Sequence, residues 1–142
     1  MSKVIIREPN DAELIHIKSF LKEYGLDDSG ISKEQFKILL YNNEIAAFGR
    51  LKKHNDCIEL CSVGVVKEYR GKGLGEAIVK NLLSEVKQDV YLVTVIPGFF
   101  NKMGFKEIKE YPISLKYKSE NFCEKHHPGD VIAVMKWEKK EA

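Results

Sequence analysis

A chain of 142 residues that is 44% hydrophobic and 31% charged has the profile of one globular domain with a real hydrophobic core, which excludes fibrous and low-complexity classes. Its 23 Lys and Arg against 21 Asp and Glu leave a formal charge of +2, without the basic excess that nucleic-acid-binding domains carry. The longest apolar stretch, Val90 to Phe100, is broken by Pro97-Gly98 and falls short of the roughly 20 residues a bilayer span needs, so no membrane partner is expected.

The start, Met1-Ser2-Lys3-Val4, lacks the apolar run of a signal peptide. Three cysteines, Cys57, Cys61 and Cys123, give an odd count at no disulfide-framework spacing. Both features point to a reducing, cytoplasmic setting.

Residues 3–7 read as a short strand. Asn10 can cap a helix in which Leu14, Ile17, Phe20 and Leu21 recur at helical spacing until Gly25. Residues 25–33 are polar and loop-like. From Gln35 the period shortens: Phe36, Ile38 and Leu40 lead to Asn42-Asn43 and then to Ile45–Leu51, a β-hairpin, because Asn tolerates the positive φ of a tight turn. A polar turn at His54-Asn55-Asp56 leads into a strand from Cys57 to about Val66. After a glycine-rich segment, Glu76 to about Lys87 carries a broad apolar stripe of Ala77, Ile78, Val79, Leu82, Leu83 and Val86, the pattern of a helix packed on a sheet. Val90–Ile96 reads as a strand buried on both faces. Phe99–Met103 reads as a short helix ended by Gly104, followed by strands at Phe105–Tyr111 and Val131–Glu138. Ser114–Lys125 between them is amphiphilic and allows a helix. The order, β-α-β-β-β-α-β-α-β-β, predicts an α/β (α+β) domain on a single mixed sheet flanked by helices. No repeat or linker divides it, so one domain over 1–142 is expected.

The chemically informative stretch is Arg70-Gly71-Lys72-Gly73-Leu74-Gly75, between a strand and a helix. Its glycines let the backbone turn tightly and approach a ligand closely. The helix that follows offers unpaired N–H groups and the positive end of its dipole, an anion site, and Arg70 and Lys72 add charge there. The spacing matches neither a Walker loop nor the dinucleotide G-x-G-x-x-G fingerprint. A flexible turn with incidental charges is the alternative reading of the glycines alone.

Arg-x-x-Gly-x-Gly at 70–75, with Val65 and Tyr69 before it, resembles the acetyl-CoA signature of the GNAT (Gcn5-related) N-acetyltransferases. A second segment, Phe99-Phe100-Asn101-Lys102-Met103-Gly104-Phe105, is similar to the family's aromatic-x-Lys-x-Gly-Phe stretch after the fifth strand. The likeness extends over essentially the whole chain. It implies a mostly antiparallel sheet whose strands four and five splay apart around the pantetheine arm of acetyl-CoA. It also implies pairing of that arm with the backbone of Val63, Gly64 and Val65. The pyrophosphate would lie on the segment Arg70, Gly71, Lys72, Gly73, Leu74, Gly75 and Glu76, with Phe100 and Lys102 completing the coenzyme contacts. Gly64 is a candidate for the bulge where the strands part, and close packing is the other reading of an isolated strand glycine.

The implied reaction is direct attack of an amine on the thioester, which needs a base, an oxyanion donor and an acid for the thiolate. Glu59, on the fourth strand, is the candidate base; a carboxylate of ordinary pKa, about 4, would act through water or with a raised pKa. A carboxylate in a rim salt bridge is the other reading of Glu59. Many relatives carry a tyrosine acid where this chain has Phe100, which has no proton to give; a water, Tyr91, Tyr111 and Tyr117 are alternatives, as is departure of free thiolate. The aromatic pair Phe99-Phe100 resembles the branch of N-acetylglutamate synthase acetyltransferase domains, which implies a small amino acid or amine acceptor, with Lys116 or Lys118 as carboxylate contacts. A length close to the minimum for the fold points the same way.

Cys57 and Cys61 stand about 13 Å apart at 3.3 Å per residue, too far to chelate one ion together. Cys123-x-x-His126-His127 lacks a second ligand pair, so no metal is expected. His126 or His127 as a base, and a ping-pong thiol at Cys61, remain alternative roles. The expected function is acetyl transfer from acetyl-CoA to a small primary amine, with a homodimer compatible with the family. An acyl-CoA-binding module with little or no transfer is the alternative, as is acetylation of a protein amine.

Overall fold

The computed structural model describes residues 3–121 and 132–140. Seven strands form one mixed sheet: β1 (Val4–Arg7), β2 (Phe36–Tyr41), β3 (Glu44–Lys53), β4 (Ile58–Val65), β5 (Val90–Thr94), β6 (Lys106–Ile108) and β7 (Ala133–Trp137), in the spatial order β1-β2-β3-β4-β5-β7-β6. Pairing is antiparallel for β1/β2, β2/β3, β5/β7 and β6/β7, whereas β4 and β5 run parallel through Ile58↔Val90 and Glu59↔Tyr91. The helices are α1 (Asp11–Glu23), α2 (Leu74–Ser84), α3 (Pro97–Asn101) and α4 (Ile113–Asn121). No helix among the described residues is long and apolar enough to cross a membrane.

The chain folds as two compact units, one running to Leu51 and including Cys61–Glu85, the other made of Lys52–Leu60 and the chain from Val86 onward. In the first, α1 starts where the sequence predicts. The Asn10 side chain accepts from Glu13 N at 2.8 Å, and Glu13 returns a bond to Asn10 N at 2.9 Å, a reciprocal capping box. Its apolar face, Ile17 and Leu21, packs with Phe36, Ile38, Leu40, Phe48 and Val66 into the core of this unit. The hairpin turn falls at Asn42 and Asn43, both at positive φ (50° and 70°). Gly49 of β3 lets α2 approach closely: a Cβ there would lie 3.0 Å from Leu82 Cδ1 and 3.3 Å from Val63 Cγ2.

In the second unit, Cys57, Val93, Leu115 and Val134 form the core, with Tyr91, Ile108, Tyr111 and Ile132 packed against it. Leu115 is the fully buried anchor of α4, which resolves the amphiphilic stretch as a helix over its first part. Pro97 begins α3, two residues ahead of the expected start, because its fixed φ suits the first helical turn. Likewise α2 starts at Leu74 rather than Glu76, since Gly73 itself provides the cap.

Candidate active site

In the first unit the signature segment leaves β4 through a short 3₁₀ turn, Lys67–Tyr69. Gly71 and Gly73 adopt φ of +84° and +76°, and a Cβ at either would meet no protein atom within 4 Å. The glycines are therefore required by conformation, and the space above them is open. Gly73 caps α2 without a side-chain acceptor, and Ala77 N donates to Gly73 O at 3.2 Å. The N–H groups of the first turn point out of the helix end without intrahelical acceptors. Arg70 is fixed beside them: its Nε donates to Val65 O at 3.1 Å and its guanidinium lies 4.9 Å from the centre of the Tyr24 ring. Lys72 lies over the Tyr41 ring at 5.7 Å. Glu76 pairs with Lys80 one turn along α2, at 2.9 Å.

The backbone of β4 ahead of this loop is irregular, at a residue other than the expected one. Ser62, not Gly64, takes the left-handed conformation, with φ of 56°. Gly64 is small for a packing reason instead, because a Cβ there would lie 2.6 Å from Phe48 Cζ and 3.0 Å from Leu26 Cδ1. A network that sequence reasoning missed holds Ser62. The wholly buried Arg50 donates from Nε to Ser62 Oγ (2.8 Å), from Nη1 to Gln35 Oε1 (3.0 Å) and from Nη2 to the Asp27 carbonyl (3.2 Å), with the Asp27 carboxylate 3.3 Å away. Ser62 Oγ in turn donates to the Asp27 carbonyl at 2.6 Å. The available signal was one charged residue in the otherwise apolar run Ile45–Leu51 and one hydroxyl between Cys61 and Val63. Val63, Gly64 and Val65 follow directly and are half-buried.

In the second unit Glu59 is buried and both carboxylate oxygens are engaged: Oε1 by His54 Nε2 at 2.9 Å, Oε2 by the ammonium of Lys118 on α4. The rim salt bridge considered for this residue is thus an interior one. Lys116, two residues away, is exposed. Phe100 is buried against Phe99 and Phe105, with ring centres 4.9 and 5.8 Å apart, while Lys102 is exposed just past α3. Of the alternative proton donors, the Tyr111 hydroxyl is bonded to Ser119 Oγ at 2.9 Å, and Tyr91 has Lys136 over its ring. The side chain of Tyr117, and Cys123, His126 and His127, lie outside the described residues. Cys57 is free and buried, and burial, helped by the neighbouring Asp56 charge, pushes its thiol up to about 12.

The profile of the Acetyltransferase (GNAT) family matches residues 7–105, well over half of the chain, and the protein belongs to that family. An uncharacterized N-acetyltransferase of Chlorobaculum tepidum is 36% identical over 83 residues, 55% of this chain and 54% of its own length, so the chain spans about half of that curated relative. The N-acetylglutamate synthase of Neisseria gonorrhoeae, solved with coenzyme A and N-acetyl-glutamate, shares the fold with a TM-score of 0.77 at 18% identity, over 98% of this chain and 36% of the synthase. A Mycobacterium tuberculosis protein solved with CoA shares it at a TM-score of 0.76 and 19% identity, over 96% of this chain and 99% of that one. The mixed-sheet fold that the two motifs implied is the fold observed.

Proposed function

We propose that this protein transfers the acetyl group of acetyl-CoA to the primary amine of a small molecule, an amino acid or a related amine, acting as one domain in the cytoplasm. The observation that carries the reading is the loop onto α2: two left-handed glycines with open space above them, flanked by Arg70 and Lys72, at a helix start with no capping side chain. Such a surface binds a pyrophosphate through N–H groups and the helix dipole. CoA in two solved relatives of this fold supports acetyl-CoA as the co-substrate. In this reading the backbone of Val63–Val65 pairs with the pantetheine arm.

Glu59 takes a proton from the acceptor ammonium, directly or through water, and the neutral amine attacks the thioester carbon. The C–N bond forms as the C–S bond breaks, and the sulfur carries the electron pair away. Phe100 cannot protonate it, and it does not have to, since a thiol of ordinary pKa, about 8.5, is a fair leaving group as thiolate. The Glu59–Lys118 pair supports a zwitterionic acceptor: an amino acid can split the pair, its ammonium going to Glu59 and its carboxylate to Lys118. The test is titration of acetyl-CoA into the protein and its Arg70→Glu variant. Binding by the parent and its loss in the variant is the expected result; no binding by the parent would remove the reading.

A further inference from the structure

Within the first unit, the end of α1 reaches back onto β4 and the signature loop. Tyr24 closes α1, and Gly25 takes the left-handed conformation at φ of 65°. Gly25 N donates to Lys22 O at 3.3 Å and Leu26 N to Leu21 O at 2.9 Å, the paired bonds by which a glycine ends a helix and turns the chain. The turn lays residues 24–27 along the stretch from Ser62 to Arg70. The Asp27 carbonyl accepts from Ser62 Oγ at 2.6 Å, and Leu26 Cδ1 is 3.0 Å from where a Gly64 Cβ would stand. The Tyr24 hydroxyl accepts from Lys67 N at 3.1 Å, and its ring faces the Arg70 guanidinium at 4.9 Å. Arg50, bonded to the Asp27 carbonyl, and the stacking of Tyr24 on Phe20 at 5.9 Å anchor the turn itself.

We propose that this turn braces the coenzyme-binding segment, with Tyr24 as its positioning residue: Tyr24 sets where Arg70 and the start of the loop stand before acetyl-CoA arrives. This rests on the reading of the loop onto α2 as the pyrophosphate site. Arg70 is exposed and long, so ordering it at the moment of binding costs affinity. Two contacts order it beforehand, Nε on Val65 O and the guanidinium over the Tyr24 ring. An aromatic face holds a guanidinium without neutralising it, as a carboxylate partner would, so the braced arginine keeps its charge for an anion. Lys67 N opens the 3₁₀ turn Lys67–Tyr69, which has no side-chain cap of its own, and the Tyr24 hydroxyl supplies the acceptor from outside. Tyr24 thus acts through Arg70 and Lys67 N rather than on acetyl-CoA itself.

The test is calorimetric titration of acetyl-CoA into the full chain and into Tyr24→Phe, Tyr24→Leu and Ile17→Val. Tyr24→Phe keeps the ring and loses the hydroxyl, and should bind about threefold more weakly. Tyr24→Leu loses both contacts and should bind about tenfold more weakly, so that phenylalanine restores part of what leucine removes. Ile17→Val loosens the core into which α1 packs, and should lower the urea midpoint while binding as the parent does. Parent-like affinity in both Tyr24 variants would overturn the proposal. So would a loss in Ile17→Val equal to that in Tyr24→Leu, the mark of general loosening rather than positioning. Should Tyr24→Leu not fold, Tyr24→Phe decides on the same terms: affinity equal to the parent's, or a loss matched by Ile17→Val, overturns it. A parent that binds acetyl-CoA while its Tyr24 variants bind equally well defeats this inference alone; a parent that does not bind defeats the pyrophosphate reading beneath it too.

Discussion

Glu59 holds a charge in the interior of its unit with two partners, and that balance sets what each side chain contributes. Removing Lys118, as in Lys118→Met, leaves His54 as the carboxylate's hydrogen-bond partner among the described residues, a loss for which buried pairs cost about 3–5 kcal/mol. Unfolding by urea should report that cost, and a midpoint equal to the parent's would show that the pair contributes nothing net. Glu59→Gln keeps the shape and removes the base. Turnover should fall roughly a hundredfold while acetyl-CoA affinity stays. Unchanged turnover would take Glu59 out of that role. Cys57 makes a prediction of a different kind. Its thiol, held up to about 12 against an ordinary 9.0, keeps its proton in the folded chain after the unfolded chain has lost it. Between those values the unfolded state binds fewer protons, so stability falls as pH rises through the window. Cys57→Ala should fall less steeply than the parent there, measured by urea midpoints, and an identical slope would contradict the burial argument.

At the scale of elements, the loop onto α2 and the kink in β4 are built by opposite means. The loop depends on glycines that no protein atom crowds, so Gly73→Val should fold, at a cost of about 1–2 kcal/mol for its left-handed φ, and should lose acetyl-CoA binding. Calorimetry checks the second half, and retained affinity would contradict the close approach assumed there. The kink depends on a side-chain lock: Arg50, Ser62, Gln35 and the Asp27 carbonyl satisfy one another in the interior. Gly64, next along, has no freedom to grow, and Gly64→Ala should cost about 1–3 kcal/mol through its clash with Phe48. The hairpin, α1 with its Asn10 cap, and the glycine loop were legible in the sequence, because each is specified by residues adjacent along the chain. The Arg50 lock and the Glu59–Lys118 pair were not. They join residues 12 to 59 positions apart, and neither a lone arginine in β3 nor a lysine on a weakly amphipathic helix names its partner. Of the two readings of Gly64, a bulge or a packing requirement, its contacts with Phe48 and Leu26 favour the second, while hydrogen bonds hold Ser62 in the left-handed conformation.

For the whole molecule, a near-neutral total charge conceals local organisation. Arg70 and Lys72 lie just before α2, where the dipole adds to their field, and elsewhere some opposite charges pair, as in Arg7–Glu13 and Lys37–Glu85. That local concentration of positive charge suits a site for one compact anion rather than a polyanion. The most direct test of the central claim is release of free CoA thiol from acetyl-CoA, followed across a panel of amino acids and simple amines. Amine-dependent release by the parent, strongest with a small amino acid and lost in Arg70→Glu, is the predicted result. Binding of acetyl-CoA with no release above the amine-free rate for any member of the panel would contradict it.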